Sequence, residues 1–183
     1  MFKWIFAGAL VSLAGPAVAT TLGGGITDGT QQGVFVKLDP STGIAVGNDT
    51  YQSNNLYAFD EDQNIRLAAD LRVDVGAHGK VIPSGTVIAS HYVFFDPLHG
   101  AAQRGYVEFD AAVLGIATSR PTLRATDFLV NTNVTYLNPT LRGLEWEDRV
   151  WIDPDNPYRI RVDWQASTPG DYVRVFTALS PGV

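Results

Sequence analysis

The chain has 183 residues, of which 45% are hydrophobic and 17% charged, and its formal net charge is −6. This composition predicts one folded domain and excludes intrinsic disorder. The lack of cysteine excludes disulfides, thiolate metal sites and a cysteine nucleophile, and the lack of clustered Lys and Arg argues against nucleic acid and anionic membranes as partners.

Residues 1–19 predict a cleavable signal peptide. Lys3 supplies the positive charge, residues 4–13 form a short apolar run, and Gly15-Pro16 breaks the helix before the small-x-small pattern of residues 17–19. We therefore expect cleavage after Ala19 and a secreted, extracellular product. The apolar run is too short for a stable membrane span, so the mature chain is expected to have none. Its charge becomes −7, because the removed stretch holds Lys3 and no acidic residue.

The mature chain begins with residues 20–33, which are rich in glycine and threonine and predict a flexible N-terminal segment. Residues 34–183 are predicted to form a single β-sandwich domain, with a first short strand at residues 34–38. Apolar side chains alternate with charged ones over residues 65–75, which is the pattern of one half-buried strand. The length of that strand suggests a bend near Ala68-Ala69.

Residues 86–96 form a long apolar run rich in β-branched and aromatic side chains, which predicts a central strand covered on both faces. Only residues 119–129 indicate a helix, of one or two turns. Thr122 and Asp127 are both plausible caps for it.

Residues 160–164 and 172–176 each alternate between apolar and polar side chains, and a Pro-Gly-Asp turn separates them. They predict a hairpin that closes the fold. The many short strands, separated by turn residues and without helix–strand alternation, favour an all-β fold. We predict an antiparallel β-sandwich or jelly roll with one short helix.

Five blocks of sequence occur in a fixed order within residues 56–177, after an acidic opening at residues 59–64. The blocks are residues 85–97, 107–116, 136–139, 141–145 and 167–175. Together they resemble a group of secreted bacterial proteins, the PEP-CTERM-type exoproteins. The resemblance implies an exported surface or matrix protein and implies no reaction, because that group is defined by its sorting signal.

The C-terminus departs from that group, whose members typically end in a Pro-Glu-Pro-like motif, an apolar helix and a basic tip. This sequence ends at residues 180–183 with none of these features. We expect either that the protein is released free or that a sorting segment is missing from this sequence.

Residues 60–64 (DEDQN) place oxygen-bearing side chains at every second position, as at the start of a calcium-binding loop. The required glycine and the distal glutamate of an EF-hand are both absent, which excludes that motif. A sandwich-type calcium site that uses Asp60 or Asp62 with distant carbonyl groups stays possible. No other cofactor is expected.

Three tryptophans lie close together in sequence near two tyrosines. Trp146, Trp151 and Tyr158 form a candidate platform on which a sugar ring could stack, whereas Trp164 fits a core position. Trp146 has acidic neighbours on both sides, which predicts that it is exposed.

Motifs of catalysis are missing from the sequence, which has neither G-x-S-x-G nor H-E-x-x-H. His91 lies in an apolar strand and fits a structural histidine better than a ligand. Glu108 and Asp110 share one strand face, which a solvated sheet surface explains better than a catalytic acid–base pair. We therefore expect that the protein is not an enzyme.

The first functional hypothesis is a non-enzymatic protein of the cell surface or biofilm matrix, which acts by adhesion or as a structural component. The alternative is a carbohydrate-binding module on a β-sandwich scaffold. The third hypothesis is a hydrolase whose catalytic carboxylates cannot be paired from the sequence. The expected partners are extracellular polysaccharide or surface proteins.

Overall fold

Residues 20–179 are described by a computed structural model, so the predicted signal peptide at residues 1–19 and residues 180–183 lie outside the described residues. The described chain is mostly β, with two packed sheets and a single short α-helix. The predicted all-β sandwich is confirmed. Within residues 20–179, every helix is too short or too polar to cross a membrane.

The elements follow one another with short connections. The strands are β1 (Thr21–Gly29), β2 (Phe35–Lys37), β3 (Ala45–Val46), β4 (Ser53–Asp60), β5 (Ile65–Arg66), β6 (Leu71–Arg72), β7 (Val75–Gly76), β8 (Val81–Ile82), β9 (Val87–Asp96), β10 (Ala101–Phe109), β11 (Val113–Ala117), β12 (Thr135–Tyr136), β13 (Arg149–Ile152), β14 (Arg159–Ala166) and β15 (Asp171–Ala178). Helix α1 spans Arg120–Ala125, and 3-10 turns occupy Pro40–Thr42, His78–Lys80 and Asp127–Leu129.

Two sheets make the sandwich. The four-stranded sheet has the order β1-β10-β14-β13 and is antiparallel throughout. The seven-stranded sheet has the order β2-β4-β9-β15-β11-β7, with β5 added beside β9, and only its β2–β4 pair is parallel. Two small pairs, β3 with β12 and β6 with β8, lie outside these sheets.

The seven-stranded sheet is buried on both faces, which divides the core into two parts. The inner core fills the space between the sheets and includes Leu56, Val93, Phe95, Val107, Phe109, Ile116, Ile160, Val162, Trp164 and Val175. The outer core covers the opposite face beneath α1 and its neighbouring loops, and includes Phe59, Tyr92, Phe94, Leu123, Leu129, Tyr172 and Phe176.

Strand β9 is the predicted central strand, and its position in the structure confirms that prediction. Nine of its ten residues are buried, and it pairs with β4 on one side and β15 on the other. Its continuous apolar sequence follows from this position, because a strand covered on both faces has no solvent side on which polar residues are favoured.

The glycine-rich N-terminal segment is part of the sandwich, and the prediction of a flexible segment at residues 20–33 is wrong. Residues 21–29 form β1, which pairs with β10. The glycines serve close packing: a Cβ on Gly24 would lie 2.5 Å from Phe35 Cδ2, and one on Gly33 would lie 1.9 Å from the Asn54 carbonyl oxygen. Composition alone suggests mobility, whereas here the missing side chains let neighbouring segments approach.

The predicted hairpin between residues 160–164 and 172–176 is also wrong. Strand β14 pairs with β10 and β13 in the four-stranded sheet, while β15 pairs with β9 and β11 in the other sheet. Their apolar side chains meet across the inner core instead of side by side. Alternation determines which face of a strand is buried and leaves its hydrogen-bonded neighbour undetermined.

Residues 65–75 form three short strands instead of one, and the predicted alternation of buried residues is interrupted at Ala69, which is exposed at the predicted bend. Strands β5, β6 and β7 pair with β9, β8 and β11 respectively, so the segment passes across three partners. Asp70 lies where the chain turns, and its carboxylate accepts a hydrogen bond from the Ser84 backbone amide at 2.9 Å. A hydrogen bond from a backbone amide to an Asp side chain is typical of a turn and not of a continuous strand.

The predicted short helix is present as α1, but neither Thr122 nor Asp127 caps it. The N-cap is Ser119, whose hydroxyl lies 2.9 Å from the Thr122 hydroxyl. The Asp74 carboxylate accepts hydrogen bonds from the backbone amides of Thr118 and Ser119 at 2.7 and 2.8 Å. An acid from the bend between β6 and β7 thus helps to start the helix, which local sequence could not show.

Candidate functional site

A cleft of about 580 Å³ opens where the edges of the two sheets diverge. One wall is strand β13, at the edge of the four-stranded sheet, and the other is formed by Val75 of β7 and by Thr118 and Ser119 before α1. A volume of this size is in the range of small-ligand sites. The open edge of the sandwich is therefore the first place to look for binding.

The residues of β13 alternate across the strand. Val150 is buried towards the inner core, whereas Arg149 and Trp151 point outward. Trp151 is 36% exposed and lines the cleft. The indole thus offers an apolar face next to charged groups. The charged and polar groups of the cleft are Glu145, Asp148, Arg149 and Asp163.

Trp146 is the most exposed large apolar side chain described, at 91%. The turn that carries it is well held: Asp148 Oδ2 accepts a hydrogen bond from the Glu145 backbone amide at 3.0 Å, and Asp148 Oδ1 accepts one from the Gln165 amide at 2.8 Å. Glu145 and Asp148 of this turn line the cleft, whereas Trp146, between them in sequence, does not. An ordered turn thus presents a large aromatic side chain to solvent.

Tyr158 lies apart from the two tryptophans. It follows the turn after β13 and is 47% exposed, but it does not line the cleft. Within residues 20–179, no ring-to-ring contact joins Tyr158 to Trp146 or Trp151. Among the described residues the rings of Trp146 and Trp151 do not touch either. The structure therefore does not join the three predicted residues into one platform: Trp151 lines the cleft, while Trp146 and Tyr158 lie on the chain before and after β13. Trp164 is a core residue, as expected.

Behind the turn that carries Trp146 lies an acidic side chain that the sequence did not single out. Asp171 is only 2% exposed, and its Oδ2 has no hydrogen-bond donor among the described residues. Burial, reinforced by the nearby carboxylates of Asp148 and Glu145, raises the pKa of Asp171 to about 9. The Asp171 carboxyl therefore keeps its proton at neutral pH.

Asp60, one of the two candidate calcium ligands, is already committed to other partners. Its Oδ1 accepts hydrogen bonds from the backbone amide and hydroxyl of Thr21, at 2.8 and 2.7 Å, and contacts His91 Nδ1 at 2.8 Å. Its Oδ2 accepts from the Thr20 hydroxyl and lies 2.9 Å from Lys37 Nζ. A carboxylate offers about four acceptor positions, so this one has none left for a cation.

Asp62 stands apart from that cluster. Burial, with a contribution from the Glu61 charge, raises the pKa of Asp62. In the part of the chain that the structure describes, no three His, Asp or Glu side chains are arranged to hold a metal ion. The structure gives the expected calcium site at Asp60 or Asp62 no support.

His91 belongs to a chain of polar groups whose types match those of a catalytic triad. Its Nδ1 contacts Asp60, and its Nε2 lies 3.0 Å from the Thr177 hydroxyl. However, the side chains of His91 and Thr177 are fully buried, and the Phe109 ring packs 4.7 Å from the imidazole. A nucleophile must reach its substrate, so this arrangement serves structure.

A second buried network joins the seven-stranded sheet to α1. Glu61 and Arg174 form an ion pair at 2.6 Å, with neither side chain exposed. Glu61 also accepts hydrogen bonds from the hydroxyls of Ser90 and Tyr136, at 2.7 and 2.6 Å. Burial alone would lower the pKa of Arg174, but the Glu61 carboxylate raises it, so the guanidinium stays charged.

The guanidinium of Arg174 reaches the layer above the sheet. It donates to the carbonyl of Leu123 at 3.1 Å, to the hydroxyl of Thr126 at 2.8 Å, and to the carboxylate of Asp127 at 3.3 Å. Sequence reasoning missed this network. The available signal was a lone arginine within an apolar strand, together with an acid directly after β4.

Comparison with known protein families, with curated proteins and with solved structures found no match for this chain. The fold and the geometry of the cleft are therefore the observations from which a function is inferred.

Proposed function

We propose that this protein is an exported, non-enzymatic component of the bacterial cell surface or biofilm matrix, and that it adheres to extracellular polysaccharide through the cleft beside β13. Its resemblance to PEP-CTERM-type exoproteins and its predicted signal peptide support the proposed location. The observation that carries the proposed binding is the exposure of Trp146, on a hydrogen-bonded turn whose Glu145 and Asp148 line that cleft.

The chemistry of the cleft suits a sugar. The indole of Trp151 provides an apolar face, and the carboxylates of Glu145 and Asp148 with the guanidinium of Arg149 provide hydrogen-bonding partners for hydroxyl groups. The carboxylates outnumber the guanidinium group, which favours a neutral or amino-bearing glycan over an acidic one. The buried Asp60–His91–Thr177 chain, which has no solvent-facing nucleophile, supports a binding role instead of a hydrolytic one.

Replacing Trp146 with alanine is expected to weaken retention on extracellular polysaccharide from the producing bacterium about tenfold or more, because a stacking aromatic side chain carries much of such a binding energy. Trp151→Ala is expected to act in the same direction. Because Trp146 is 91% exposed, its loss should leave the free energy of unfolding within about 0.5 kcal/mol of the parent value. Retention of the purified protein, measured as a saturation curve with and without calcium, tests this.

Phe128→Ala is the matched control, since Phe128 is also exposed, at 59%, but lies in the 3-10 turn after α1, where none of its turn neighbours lines the cleft. We expect it to bind as the parent protein does. Equal loss of retention in the Phe128 and Trp146 variants would show nonspecific adsorption, and retention that never saturates would contradict the proposal. Release by a chelator alone would indicate a cation-dependent site in place of the one proposed.

A further inference from the structure

The first residue after the predicted cleavage site is held at both of its backbone polar groups. The Thr20 backbone nitrogen donates to Asp110 Oδ1 at 2.9 Å, and the Thr20 carbonyl accepts from the Asp110 backbone amide at 3.0 Å. Asp110 follows directly after β10, the partner of β1. The carboxylate thus lies where the nitrogen of residue 20 would become a terminal amine.

The next contacts fix the same end of the chain to the other sheet. The Thr20 hydroxyl donates to Asp60 Oδ2 at 2.9 Å, and the Thr21 amide donates to Asp60 Oδ1 at 2.8 Å. Lys37 donates to the Thr21 carbonyl at 2.8 Å and pairs with Asp60. Residues 20 and 21 therefore join the four-stranded sheet to β2 and β4. This is a dense set of polar contacts for the start of an edge strand.

We propose that Asp110 forms a binding site for the α-ammonium group that cleavage after Ala19 creates at Thr20, while Asp60, paired with Lys37, holds the Thr20 hydroxyl and the Thr21 amide in place. In that cleavage a signal peptidase breaks the Ala19–Thr20 amide bond with one water molecule. Ala19 gains the carboxylate, and the Thr20 nitrogen becomes an amine that takes up a proton at neutral pH. The inference rests on the export proposed above and adds that removal of the signal peptide completes the fold.

Cleavage changes the strength of the contact with Asp110. An amide N–H next to a carboxylate makes one hydrogen bond, whereas an ammonium group at the same place adds a full positive charge and two further donors. The existing 2.9 Å distance needs no rearrangement. The processed chain should therefore be more stable than the unprocessed chain, and the difference should depend on Asp110.

The test compares the full chain with the chain recovered after export, each with and without Asp110→Asn. N-terminal sequencing of the exported protein is expected to begin at Thr20. Asp110→Asn is expected to lower the thermal midpoint by about 2–4 °C more in the processed chain than in the full chain, as a loss near that of one charge-assisted contact would do. An NMR titration should place the pKa of the Thr20 amine above its ordinary range of about 7.7–8.0, and Asp110→Asn should return it there.

Asp28→Asn provides the control, because Asp28 lies at the opposite end of β1 and its side chain is 68% exposed. Its effect should be equal in the two chains. If export yields no cleavage at residue 19, both the export and the ammonium site are contradicted. If cleavage occurs there but Asp110→Asn affects both chains equally, the ammonium site alone is contradicted, and the binding proposed for Trp146 is unaffected.

Discussion

Replacing Arg174 with methionine is expected to lower the free energy of unfolding by about 3–5 kcal/mol, since removing one partner leaves the buried Glu61 carboxylate without its counter-charge. The same change removes the hydrogen bonds that tie Leu123 and Thr126 to the sheet. We therefore expect α1 to lose protection from hydrogen exchange before the sheets do. Denaturant unfolding and amide exchange measure the two effects.

Arg104→Met is the matched control, because Arg104 is 60% exposed and its ion pairs with Asp28 and Asp163 lie in solvent. Such a pair is worth less than about 1 kcal/mol. Glu61→Gln combined with Arg174→Met should cost less than the sum of the two single changes, as neither charge is then left alone. A loss at Arg174 as small as that at Arg104 would contradict this account of the network.

The second expected result concerns pH. The pKa of Asp171 is raised from 3.8 to about 9 in the folded protein by burial and by its carboxylate neighbours Asp148 and Glu145. Between these two values the folded state keeps a proton that the unfolded state has lost. Stability should therefore fall as pH rises from about 4 to about 9, by up to about 1.4 kcal/mol per pH unit from this group.

Asp171→Asn should remove that slope, because an amide does not titrate and its NH₂ group can donate to Asp148. Urea unfolding at several pH values between 5 and 8 measures how the free energy of unfolding changes with pH. Asp163→Asn is the control, on an exposed acid of the cleft. Burial favours a higher pKa of Asp60, but hydrogen bonds from His91 and Lys37 lower it. The stability that the Asp60 carboxylate contributes is therefore lost only below about pH 4, outside the pH range of this measurement. Equal slopes in the parent and in Asp171→Asn would contradict the prediction.

The Asp171 carboxyl also connects stability to the cleft. Asp148 is one of the carboxylates that raise the pKa of Asp171, and at the same time it holds the turn that carries Trp146. When Asp171 ionises, its buried carboxylate and the half-buried carboxylate of Asp148 repel each other. The geometry of the proposed binding surface therefore depends on the protonation state of Asp171, which is not itself proposed to contact the ligand.

The sequence by itself determined the fold class and the central strand. Alternating and continuous apolar runs show which residues are buried, because burial of apolar side chains follows the period of the strand. It also indicated the exposure of Trp146, from acidic neighbours that favour water, and the core position of Trp164. These properties depend on each residue and its near neighbours in the chain.

Only the tertiary structure decided which strands pair and which charges meet. The strands around residues 160–164 and 172–176 carry the same pattern yet lie in different sheets, because alternation contains no information about a partner. Arg174 and Glu61 are 113 residues apart, and Asp110 meets Thr20 from 90 residues away. Glycines that suggest flexibility instead allow close packing, since only the folded chain shows what a side chain there would meet.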